Sequence, residues 1–179
     1  MWINEPMVVS KEVYVKDMIT NFGLLLVLVL SASAHSGDAV EPISVESLIN
    51  RFSEEQDGTF AGQASERCAG ILFVVGYMTG PEGEVATEAE IAIKGAQFFD
   101  ITTAIKRNSP YRPEAVQGRI ADNASWYGKR IKKHQTMNGD SFDDYVMSDI
   151  LQCRSFVKNA SWLWRSADME VLESLLNVK

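Results

Sequence analysis

From residue 44 onward, apolar side chains recur every three or four positions, which is the period of a helix with one buried face. Val45, Leu48, Ile49 and Phe52 give the first such stripe, with Ser44 placed to cap it and Asp57-Gly58 to end it. A second stripe, Phe60, Ala64, Cys68, Ile71, Leu72, Val75 and Met78, predicts a helix over 60–79 stopped by Gly80-Pro81. Its stretch 68–78 is apolar on nearly every side, so this helix is expected at the centre. A third helix is predicted over 84–107, with Ala89, Ala92, Ala96 and Phe99 inward. Glutamates at its start and Lys106-Arg107 at its end suit the helix dipole.

Pro113 opens a fourth helix whose inward positions are Val116, Ile120, Ala124, Tyr127 and Ile131, ending near Met137 before Asn138-Gly139. A fifth is expected over 142–164, capped by Asp140 or Ser141, with Tyr145, Val146, Asp149, Cys153, Phe156, Ala160 and Leu163 on its seam. Residues 169–178 form a last amphipathic segment. No strand alternation or internal repeat is present, and the predicted fold is all-α: a single-domain bundle of five or six helices over 43–179.

The residues before this bundle read as an address. Residues 22–30 are an apolar run of nine, followed by Ser31-Ala32-Ser33-Ala34, whose Ala32-x-Ala34 is the small-x-small pattern of a signal-peptidase site. A run of nine is too short to span a bilayer, which takes about 17–25 apolar residues. The expected organisation is a cleaved signal peptide over 1–34, a flexible arm over 35–42, and the bundle. The expected localisation is periplasmic or secreted. The alternative is that the apolar segment persists and tethers a structural subunit to the membrane.

Composition changes this picture little. The chain has 179 residues, 46% hydrophobic and 23% charged, and a net charge of −7. Lys11, Lys16, Glu5, Glu12 and Asp17 fall in the leader, so the remainder keeps a net charge of about −6. That sign argues against nucleic acid or an anionic membrane surface as partner, since both need a positive field. The two cysteines, Cys68 and Cys153, lie on apolar helix faces after the leader. In an oxidising compartment they are expected to form one disulfide between helices.

Candidate chemistry is sparse. Lys129, Arg130, Lys132, Lys133 and His134 form a basic run that suits either an acidic partner or simple solvation of a helix end. Asp140, Asp143, Asp144 and Asp149 cluster at the start of the fifth helix without the order of a calcium loop. Asp149 falls on the seam, where Arg67, Arg119 or Arg130 could pair with it. If cleavage follows Ala34, His35 becomes the new terminus, and its amine and imidazole could chelate a metal with His134 as a third ligand. Trp162 and Trp164 are two apart and cannot share one core face, so one of them is a candidate partner contact. No Gly-x-Ser-x-Gly elbow or phosphate-binding glycine loop occurs, and a Cys–His nucleophile would need the cysteines reduced. No cofactor and no catalytic residue is expected.

The run Cys68-Ala69-Gly70-Ile71-Leu72 in an early helix, with Asn138-Gly139-Asp140-Ser141-Phe142 and Asp149-x-x-x-Cys153 late, resembles a loose group of small exported bacterial proteins. The resemblance implies an all-helical, cysteine-bridged chain. In general character the chain is also similar to periplasmic immunity proteins that block cell-wall amidases, although no inhibitory loop of that family can be matched residue by residue. The leading expectation is a non-enzymatic exported binding protein with a protein partner and no stable membrane insertion after cleavage. An immunity or inhibitor role against a cell-wall-degrading effector, and a metal-binding protein or enzyme using His35 and His134, stand as alternatives.

Overall fold

Among the described residues five helices follow one another with short connections. The computed structural model describes residues 42–80, 83–140, 142–164, 167, 168, 171, 172 and 174, all within the compact unit Ala39–Lys179. The expected leader, its cleavage point, His35 and nearly all of the arm lie outside the described residues, as does most of the 169–178 segment.

Each boundary has a local cause. Helix α1 (Val45–Glu55) starts where Ser44 accepts the Ser47 N–H at 3.2 Å, and ends at Gln56 in the left-handed region, φ 52°. Helix α2 (Gly58–Thr79) is capped by Asp57, which accepts the Thr59 N–H at 2.9 Å, and stops at Gly80 with φ 117°. Helix α3 (Glu84–Arg107) runs to Asn108, φ 52°, whose N–H returns to the carbonyls of the last turn. Helix α4 (Pro113–Asn138) begins on the expected proline and ends at Gly139, φ 81°. Helix α5 (Asp144–Ala160) departs from expectation. Asp143, not Asp140 or Ser141, caps it by accepting the Val146 N–H at 2.8 Å. Arg130 holds the same carboxylate through its other oxygen at 2.6 Å, which favours Asp143 over a cap bonded on one side only.

The described residues form one all-α domain with no strand, and α2 is its axis: it touches α1, α3, α4 and α5, and every residue from Ala64 to Leu72 is buried. Close approach of α2 and α4 rests on Gly70. A Cβ built there would lie 2.7 Å from the Asn123 Cβ and 2.8 Å from the Ala124 nitrogen, so only glycine allows this spacing. Along α3 the contact face is built from Ala89, Ala92, Gly95 and Ala96, small enough for a long antiparallel seam. All five expected inward positions of α4 are buried. Cys68 and Cys153, both fully buried, join α2 to α5 with Cα atoms 5.1 Å apart, as expected.

The fifth helix does not reach Trp164. After Ala160 the chain tightens into a 3-10 turn, Ser161–Leu163, which redirects it inward. Trp164 then enters the core, donating its indole N–H to the Ile91 carbonyl at 2.8 Å and packing edge-on against Phe99. Trp162, left outside by the same turn, is 74% exposed.

Candidate functional site

Glu66 and Arg67, at the buried middle of α2, are the only charged residues of that helix, and both side chains need partners from other helices. Helical geometry sends the two in different directions. Arg67 turns toward α5, and Glu66 toward α4 and α3.

Arg67 enters a closed network. Its Nη2 lies 2.8 Å from Asp149 Oδ2, and it donates to the hydroxyls of Tyr127 and Tyr145 and to the Ile43 carbonyl. Tyr127 passes the bond on by donating to Asp149 Oδ2, and Tyr145 donates to the Pro42 carbonyl at 2.8 Å. Burial pushes the Tyr127 hydroxyl well above its ordinary value, so it stays a neutral donor. Of the three arginines considered for Asp149, Arg67 is its partner; the others serve Glu66 and Asp143. This network pins the entry of α1 onto α2, α4 and α5.

Glu66 faces a cleft instead. Its side chain is 8% exposed; its Oε1 accepts from Arg119 Nε at 2.9 Å and lies 2.8 Å from Arg119 Nη2 in an ion pair. Nη2 also reaches Asp100 Oδ1 at 2.8 Å, so one guanidinium from α4 is shared by carboxylates from α2 and α3. Two cavities, of about 300 and about 270 Å³, are both lined by Gln63, Glu66 and Arg119. The larger has Pro42, Ile43 and Leu48 as its apolar wall and Asp122 and Asn123 from α4 among its polar residues. The smaller is bounded by Phe99, Thr103 and Arg107, and Arg107 donates to Thr59 at 3.2 Å. Burial raises the Glu66 carboxyl above its ordinary range; Arg119 opposes that shift and Asp100 adds to it. A buried acid beside open space is the arrangement from which binding sites are built.

The residues singled out from sequence are not part of this cleft. Lys129, Lys132 and Lys133 are exposed on α4, and none is ion-paired to a carboxylate among the described residues. Arg130 is withdrawn from that run: it pairs with Asp143, and its guanidinium sits 4.6 Å from the Tyr145 ring and 5.3 Å from Trp126. Of the tryptophan pair, Trp164 is corrected from surface contact to core, and Trp162 alone is on the surface. His134 Nδ1 lies 2.9 Å from Asn138 Nδ2, one turn on. Its proposed co-ligand His35 is outside the described residues, and among those residues no group of three or more His, Cys, Asp or Glu is disposed to hold a metal ion.

Glu66 and Asp100 were not singled out in the sequence, and Arg119 was named only as a possible partner of Asp149, although one signal was available: a charged dyad in a helix with no other charged residue. No helix among the described residues is long and apolar enough to cross a membrane. No protein-family model, curated protein or solved structure matches the chain.

Proposed function

We propose that this chain is an exported binding protein, periplasmic or secreted, that acts by holding a ligand rather than by transforming one. One observation carries the reading: the helix that bears the buried bridge to α5 also forms a wall of the Glu66 cleft. A fully buried disulfide is compatible with an oxidising compartment. It also makes a rigid scaffold, and rigidity lowers the ordering cost of binding. Export further rests on the apolar run 22–30 and Ala32-x-Ala34. An immunity or inhibitor role against a cell-wall-degrading effector is one instance of this reading, with the effector as ligand.

Intact mass of the protein from its native host, before and after reduction, tests the export half. A chain beginning at His35 that gains two hydrogens on reduction supports it. A full-length chain with free thiols overturns it. Turnover of any substrate by the purified bridged protein in a broad hydrolase screen would sink the binding half.

A further inference from the structure

We propose that the Glu66 cleft is a site for an organic monocation, an ammonium or guanidinium group on an aliphatic stem, held by Glu66 and Asp122. The proposal rests on the reading of the chain as a binding protein and names the class of ligand.

Three features of the cleft converge. The first is an unused acceptor. Glu66 Oε1 takes the Arg119 Nε bond and the ion-pair contact with Nη2, and Oε2 accepts none from the described residues, although the side chain is 8% exposed and lines both cavities. This oxygen is not sealed from water but opens on the cleft, where a charged N–H is the strongest donor available to it.

The second is charge. Arg119 is one cation between Glu66 and Asp100, so the trio keeps a net negative charge. Asp122, one turn further along α4, presents an exposed carboxylate to the larger cavity with no cation partner among the described residues. Arg67 lines the same cavity, but its charge faces Asp149. The field in this lobe therefore favours a cation and opposes an anion.

The third is shape. Pro42, Ile43 and Leu48 supply an apolar wall opposite these carboxylates, and about 300 Å³ is at the lower end of ligand-pocket volumes. An aliphatic stem covers that wall while its cationic head reaches Glu66 and Asp122. A free amine and a lysine or arginine side chain of a partner protein share this chemistry.

The test uses the full bridged protein. Backbone amide shifts are followed by NMR during titration with n-butylammonium, n-butylguanidinium, n-butanol and butyrate. Saturable shifts at residues 63–67 and 119–123 are expected with the two cations only. Asp122→Asn should weaken that binding about tenfold, and Glu66→Gln more. If Glu66→Gln fails to fold, Asp122→Asn on the exposed rim still decides the matter. A short peptide with a central lysine separates the sources. Tighter binding by the peptide than by n-butylammonium, lost on acetylation of the lysine, identifies a protein partner; equal or weaker binding identifies a free amine. Equal saturable binding of n-butanol or butyrate at the same amides overturns the cation while leaving a binding cleft. Absence of saturable shifts with all four compounds overturns the site, and unchanged affinity in Asp122→Asn overturns the assigned acceptor.

Discussion

The backbone N–H of Val45 donates to Asp149 Oδ1 at 3.0 Å, joining the first residue of α1 to the middle of α5 across 104 positions of sequence. Every α-helix leaves its first N–H groups without intrahelical acceptors. Ser44 serves one of them in α1, and a carboxylate from a distant helix serves another. The other oxygen of Asp149 takes Arg67 and Tyr127, so a single buried side chain holds α1, α2, α4 and α5 together.

Removing that side chain strands a guanidinium. Asp149→Ala leaves Arg67, whose side chain is 5% exposed, without its countercharge, and leaves the Val45 N–H without an acceptor. The expected loss is about 3–5 kcal/mol, read as a lower urea midpoint at unchanged slope. A loss below about 1 kcal/mol would show that the network is not what fastens α1.

The bridge should resist reduction in the folded protein. Cys68 and Cys153 are both fully buried, so a thiol reductant reaches them only after unfolding. Dithiothreitol alone is expected to leave the bridge intact, and dithiothreitol with guanidinium chloride to open it; mass spectrometry after thiol alkylation separates the two. The closed loop spans 85 positions, for which the chain-entropy relation gives on the order of 4–5 kcal/mol. The Cys68→Ser, Cys153→Ser double variant should therefore lose much of its stability.

Glycines in two helices should respond with opposite sign. Gly70→Ala drives a methyl group into the α4 backbone 2.8 Å away and should cost about 1–3 kcal/mol or more by overpacking. Gly118→Ala on α4 meets nothing within 4 Å and should stabilise by about 0.5–1 kcal/mol through helix propensity alone. Thermal melts of the two variants beside the parent check both signs. A neutral Gly70→Ala would mean that α2 and α4 can separate without penalty.

How much of this was legible in the sequence varies by element. Helices α3 and α4 were readable because charge polarity, Pro113 and Asn138-Gly139 are local signals that agree with the hydrophobic period. The disulfide was readable from two cysteines on apolar faces. The cap of α5 was misplaced because Arg130, an earlier helix's residue, fixes Asp143, and no local propensity encodes that contact. Trp164 followed the same logic: its place depends on a tightened turn and a carbonyl on α3. The cleft was the least legible part, since Glu66 and Arg119 are 53 positions apart and meet only once α2 and α4 have packed.

Acid should weaken α5 through Asp143. Burial alone would raise this carboxyl, but the Val146 N–H and the Arg130 guanidinium outweigh it and hold it below the usual carboxylate range. A group whose folded value is depressed adds stability above its unfolded value, near 3.9, and loses it as pH falls through the folded value. The contribution of Asp143 is thus complete at neutral pH and declines below about pH 4. Asp143→Asn keeps a capping oxygen but gives up the charge facing Arg130, so it should lower stability at pH 7 and flatten the dependence below pH 4. Asp143→Ala also loses the cap and should cost about 0.5–2 kcal/mol more. Urea midpoints from pH 2.5 to 7 for the parent and both variants decide the matter. Parallel curves would mean that Asp143 titrates alike in the folded and unfolded chain, and that its bonds to Arg130 and Val146 do not discriminate its charged form.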